Sequence, residues 1–231
     1  DRDTVDESNL ESQSLYREND IGLPKVIATQ KHLKKVNSRL EIETYFDNLS
    51  YENINTIKAD LILDCTDNLE TRFLINEFSL KNKIPFIYAA AIKYKGYIFC
   101  VTKESPCLKC ILKNAQTTET CETVGILSTT ANIIASLQVN EAIKILSNAK
   151  YERNLLHIDL KENKIEKIVV NKDERCLVCQ EKFEYINGKK KISIVKYCNS
   201  GTYLIKKDFN FNEVKRKLQK LGSKEFKNAI L

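Results

Sequence analysis

The sequence predicts an α/β fold built on a mostly parallel sheet with crossover helices. Three observations carry that expectation: short, almost wholly apolar runs at 59–65 and 86–92, stretches of helical periodicity beside them, and the alternation of the two along the chain. With 231 residues and 42% apolar content, the chain can fill a real core.

The elements follow in order. The opening DRDTVDESNLESQSLY is polar and irregular. In GLPKVIATQKHLKKVN (22–37), Pro24 stands near a helix start, and Val26, Ile27, Leu33 and Val36 recur at helical spacing. LEIETYF (40–46) is expected as a strand and ADLILDC (59–65) as another. LETRFLINEFSLKNK is a helix leading to the buried strand IPFIYAAA, and GYIFCVT (96–102) continues as a strand. Strand, helix, strand, helix, strand in that order implies parallel pairing through crossovers.

A loop rich in Cys, Thr and Glu (103–123) precedes a periodic helix at about 128–147, carrying Ile133, Ile134, Leu137, Ala142 and Ile145. LLHIDL and KIEKIVV, joined by KENK, form an antiparallel hairpin. After Cys179 a polar connection, EKFEYINGKKKISIVKY, leads to a strand in TYLIKK and a short helix in FNEVKRKLQKLG. The expected division is a main domain over 1–180 and a small, incomplete C-terminal extension over 181–231.

The net charge of +6 comes from Lys residues spread along the chain, most of them on solvated surface. No basic stripe interleaved with aromatics points to nucleic acid. No apolar stretch is long enough to span a bilayer, and the opening residues do not resemble a signal peptide, so a cytoplasmic location with no membrane partner is expected. The absence of any Met leads us to expect a fragment or a processed product.

Cys107 and Cys110, and then Cys176 and Cys179, form two couplets with two residues between their thiols. In a reducing compartment that spacing favours a closed, structural zinc site with four cysteine ligands over disulfides, the alternatives being incidental cysteines or a redox pair. Cys65 and Cys100 lie in apolar runs and are expected as inert core residues. Cys121, in TTETCETVG ahead of the long helix, is either an exposed thiol with its pKa lowered by the helix end or an ordinary loop cysteine.

In an open parallel sheet, ligands bind outside the carboxyl ends of the strands. LILDCTDN delivers Asp67 and Asn68 to that edge, where a carboxylate could hold Mg²⁺ on phosphates, and Lys25 could neutralise a phosphate there. The alternatives are helix capping for Thr66, Asp67 and Asn68 and a plain surface position for Lys25. With six glycines and no Gly-x-Gly-x-x-Gly, a phosphate-cradling loop would have to precede residue 1.

Taken in order, DRDTVDESNLESQ, DIGLPK, DCTDNLETR, CLKC, CETVGIL, LQVNEAIKIL and CLVC resemble the ThiF/MoeB family, bacterial relatives of ubiquitin-activating enzymes, over about residues 1–180. The resemblance implies a Rossmann-like fold and ATP-dependent adenylation of the C-terminal glycine carboxylate of a ubiquitin-fold sulfur carrier protein, in thiamine-thiazole or molybdopterin synthesis. It implies that Asp1 binds the ATP ribose and that Ser8, Asn9, Leu10, Glu11, Ser12 and Gln13 contact the phosphates. Lys25 matches the phosphate lysine, Asp67 the Mg²⁺ carboxylate and Asn68 its partner in closing the site. The couplet cysteines match zinc ligands, and Cys121 matches a thiol that links covalently to the activated carrier. A homodimer is also implied.

Two departures stand out. Ser12 replaces the family arginine of SNLxRQ and removes a charge that would stabilise departing pyrophosphate. The glycine-rich strand, loop and helix are missing. Besides the adenylyltransferase reading, the sequence therefore leaves open a catalytically impaired carrier-binding protein of the same fold and a zinc-stabilised nucleic-acid-binding module.

Overall fold

The computed structural model describes residues 1–112 and 125–190, together with the backbone of short strands at 194–196 and 203–205. The chain divides into two compact units, Asp1–Ile192 and Ser193–Leu231.

The first unit is an α/β fold whose five-stranded sheet has the order β1 (Ile62–Leu63), β2 (Phe86–Ile92), β3 (Lys95–Val101), β4 (Leu155–Asp159), β5 (Lys164–Ile168). β1 and β2 pair in parallel through the crossover helix α2 (Leu69–Asn82), and the other three pairings are antiparallel, so the sheet is mixed. The reason lies in the connections. Ile92 pairs with Lys95 across Lys93 and Tyr94, with Lys93 at φ 50°, and a two-residue turn can only reverse the chain. β4 and β5 form the expected hairpin around KENK.

β2 alternates its side chains between two cores. Phe86 and Tyr88 join Leu74, Phe78, Phe99 and Val101 on the α2 side, while Ile87 and Ala89 join Ile98, Ile134, Leu156 and Ile158 on the other. After the single turn α3 (Leu108–Ile111), the second face is covered by α4 (Ser128–Leu146), which buries Ile134 and Ala142. α4 approaches closely because β3 carries Gly96, where any Cβ would overlap Ile134. Complete burial of such side chains contributes about 1.5–3 kcal/mol each. Helix α2 is bounded as its sequence suggests: Asn68 caps its start, Lys83 ends it in the left-handed region at φ 57°, and Pro85 follows.

Several expectations are corrected. LEIETYF is not a strand: Ile42 O accepts from the Gln30 side chain at 2.8 Å and no described strand lies beside it, so its alternation meets no ladder. In α1 (Lys25–Val36) the buried residues are Lys25 and Ala28, while Ile27 and Val36 are exposed. Cys65 is exposed rather than core, whereas Cys100 is buried. The connection after Cys179 is not wholly polar, because Ile186 is buried in the α2-side core with Phe183 and Tyr185 packed beside it.

In the second unit β6 (Ile194–Lys196) pairs antiparallel with β7 (Tyr203–Ile205). The strand expected in TYLIKK is thus present, and the helix expected in FNEVKRKLQKLG lies outside the described residues. No helix among the described residues is long and apolar enough to cross a membrane.

Candidate functional site

Lys25 opens α1 directly after Pro24, whose fixed φ suits a helix entrance. The entrance is braced by the first residues of the chain: Lys25 N donates to Asp3 O at 2.8 Å, Val5 N to Leu23 O at 2.8 Å, and Gly22 N to Val5 O at 2.9 Å. Gly22 makes the reversal at φ 85°, a conformation that only glycine adopts without strain. Lys25 is not a surface lysine but is 6% exposed, with Nζ 3.9 Å from Asp3 Oδ2. An ammonium so buried, with its ion pair to Asp3 at the limit of range, favours a further anion. It lines a cavity of about 310 Å³ together with Asp1, Tyr16, Thr29, Glu43 and Tyr45. Nearby, Asp6 is held below the usual carboxylate range by the Ser8 hydroxyl and N–H, with Lys25 adding to the effect.

Ser8, Asn9, Leu10 and Glu11 lie in a 3₁₀ turn, Glu7–Glu11, capped by Asp6, and Ser12 and Gln13 close it through bonds to Asn9 O at 3.2 and 2.8 Å. Asn9 is buried, its Oδ1 accepting from Asp6 N at 3.1 Å. None of these six residues lines the cavity.

Asp67 and Asn68 stand beyond the carboxyl end of β1, as expected, and neither lines the Lys25 cavity. Asn68 is the helix cap of the alternative reading, accepting from Thr71 N at 2.9 Å. Asp67 is exposed. Thr66 turns back to Asp64, donating its hydroxyl at 2.7 Å and its N–H at 2.9 Å to Oδ1. Asp64 is fully buried, and that burial raises its pKa against the opposing pull of Arg72, whose Nε lies 3.3 Å from Oδ2.

The four couplet thiols converge. Sγ separations are 3.7 Å for Cys107 and Cys110, 3.6 Å for Cys107 and Cys176, and 3.5 Å for Cys110 and Cys179, and all four sulfurs lie within 4.8 Å of one another. A tetrahedral ion with metal–sulfur bonds of about 2.3 Å spaces its ligands by about 3.8 Å, so the cluster could hold a metal. Burial pushes the Cys107 thiol up, and that of Cys179 up to about 11. The first knuckle and the segment that follows the second hang from α2. Leu108 N donates to Asn76 Oδ1 at 2.8 Å, and Glu77 accepts the N–H groups of Glu184, Tyr185 and Ile186 at 3.1, 2.8 and 3.0 Å. Cys121 lies outside the described residues.

Asp64, Arg72, Asn76 and Glu77 carry much of this architecture and were not singled out in the sequence. For Asn76 and Glu77 a signal existed: both sit inside FLINEF, polar residues where the helix otherwise turns an apolar face to the sheet.

The structure thus combines a mixed α/β sheet, an acidic turn at a strand's carboxyl end, a buried lysine beside a cavity and a four-thiol cluster. The sequence profile of the ThiF family matches residues 1–178, and the chain belongs to that family. It is 31% identical over 185 residues to the sulfur carrier protein ThiS adenylyltransferase of Escherichia coli, covering 78% of this chain and 74% of that protein. Identity to the Bacillus subtilis protein of the same name is 33% over 215 residues, covering 89% of this chain and 64% of the relative's length. The adenylyltransferase and sulfurtransferase MOCS3 of Dictyostelium discoideum is 34% identical over 156 residues, or 65% of this chain and 37% of that protein. Among solved structures, E. coli MccB with ATP has a TM-score of 0.67 at 19% identity, over 77% of this chain and 57% of that one, a likeness of fold.

Proposed function

We propose that the chain is the adenylating part of an ATP-dependent adenylyltransferase that activates the C-terminal glycine carboxylate of a ubiquitin-fold sulfur carrier, in thiamine-thiazole or molybdopterin synthesis. The observation that carries the reading is the buried Lys25 ammonium beside a cavity that Asp1 also lines. Membership of the ThiF family and the names of its adenylyltransferase relatives support it.

Attack of a carboxylate on the α-phosphate brings two anions together, and that repulsion is the main electrostatic obstacle. Lys25 offsets it from one side. Asp67 would hold Mg²⁺, which supplies the remaining positive charge on the phosphates. Asp1 would take the ribose, Ser8 to Gln13 the phosphate turn, and Asn68 closure of the site. Cys121 would accept the acyl group from the acyl-adenylate, its thiol losing a proton as the acyl–phosphate bond breaks and AMP leaves. Zinc would fill the four-thiol cluster as a structural ion. The reading includes residues 1–180 as the adenylating domain with 181–231 as an extension, a homodimer, and a cytoplasmic location.

A second reading, a carrier-binding protein with impaired catalysis, is favoured by Ser12, which leaves the phosphate turn without the family's arginine. ATP–pyrophosphate exchange by the full-length protein with a glycine-terminated carrier separates the two. Exchange in the wild type, falling about 10²-fold in Lys25→Ala, supports the enzyme. Background exchange in the wild type that rises in Ser12→Arg establishes the second reading instead.

A further inference from the structure

Asp64 is 0% exposed, yet nothing about stability calls for a carboxylate there. A buried ion pair commonly breaks even or loses against apolar residues of similar volume. The geometry shows what the pair holds. Asp64 Oδ1 takes the N–H and hydroxyl of Thr66, while Arg72 Nη2 donates to Thr66 O and, at 3.1 Å, to Ala89 O. The backbone N–H, backbone carbonyl and hydroxyl of Thr66 are therefore all held by one carboxylate and one guanidinium. Arg72 is itself fixed over the Tyr88 ring, 5.1 Å from its centroid. Asp64 is anchored to both layers beneath: its N–H donates to Ile87 O at 3.0 Å, and its carbonyl accepts from Gln138 Nε2 of α4 at 3.0 Å.

The residue so clamped immediately precedes Asp67 and Asn68. We infer that Asp64 and Arg72 are positioning residues, which fix the Thr66 peptide units and thereby aim the Asp67 carboxylate at the metal–triphosphate. The inference rests on the nucleotide reading of this sheet edge. The Asp67 side chain is exposed, and Asn68, the next residue along the same turn, donates its Nδ2 to Asp67 Oδ1 at 3.4 Å, so a turn fixed at Thr66 also sets where that carboxylate stands. Supporting groups of this kind commonly govern metal affinity by about 10–100-fold.

The test uses the full-length protein carrying Arg72→Lys, which keeps the charge and loses the fork, or Thr66→Val, which removes one donor at a half-buried position and leaves the ion pair whole. Calorimetry gives the dissociation constant of Mg·ATP across Mg²⁺ concentrations, and pyrophosphate exchange gives kcat and the half-saturating Mg²⁺. Both variants are expected to raise half-saturating Mg²⁺ about tenfold in both measurements, and excess Mg²⁺ restores wild-type exchange in Thr66→Val. Loss of packing alone would not yield to added metal. Thr66→Val with wild-type Mg²⁺ dependence overturns the inference and leaves the nucleotide reading standing. A wild type that neither binds Mg·ATP nor exchanges pyrophosphate overturns both.

Discussion

Glu77 accepts the backbone N–H of Ile186 at 3.0 Å across 109 positions of chain, while 1% exposed. The compensation for this buried carboxylate comes from three successive N–H groups. Glu77→Gln keeps the shape but removes the charge and adds two donors facing donors. It should cost about 2–4 kcal/mol in urea melts, with an unchanged slope.

The thiol cluster should bind one metal ion per chain, with loss of that ion on Cys176→Ser and retention on Cys65→Ser. Because burial raises Cys107 and takes Cys179 up to about 11, both thiols carry protons at neutral pH and binding must release them. Affinity therefore falls as pH falls, which competition against a chelating dye at acid and neutral pH would measure. Stripping the ion should also lower the melting temperature, since the cluster joins segments 69 residues apart.

Gly96→Ala should destabilise by about 1–3 kcal/mol, because its new methyl group meets the buried Ile134 side chain. Shortening Ile134 to Val in the same protein should make the double variant more stable than the two single losses predict, a coupling that a thermodynamic cycle reads directly.

Acid stability should depend on Glu152. Its carboxyl is held down to about 2, from an ordinary 4.5, first by Lys167 Nζ at 2.7 Å and also by Asn154 donors. The folded pKa lies below the unfolded one, so this contribution is complete above pH 4.5 and is lost as pH falls through about 2. Lys167→Met should flatten the melting-temperature profile across that window.

The fold was legible where local pattern and environment agree. The run FIYAAAI has neighbours on both sides, and the α4 periodicity meets a sheet cleared by Gly96. LEIETYF shows the opposite case, a strand-like alternation for which no described strand supplies a ladder. At the candidate site, Lys25 and Asp67 could be named from their motifs. The burial of Lys25 could not, since it depends on Asp3 to Val5 folding back across the helix entrance. Asp64 and Arg72 open and close the DCTDNLETR run, but nothing in the run shows that they meet across a strand-to-helix turn, and Glu77 reaches segments over a hundred positions away.

Helix α2 is touched at both ends of its working length. Its cap is Asn68, while Asn76 holds the first cysteine knuckle and Glu77 the segment that follows the second. From Asn68 to Asn76 the axial rise is about 12 Å, set by helical geometry and not by any flexible joint. The stem behaves like a beam between two fixtures: it holds the cysteine side and the acidic side at a set spacing, so neither can draw nearer to the other or further away without bending the helix.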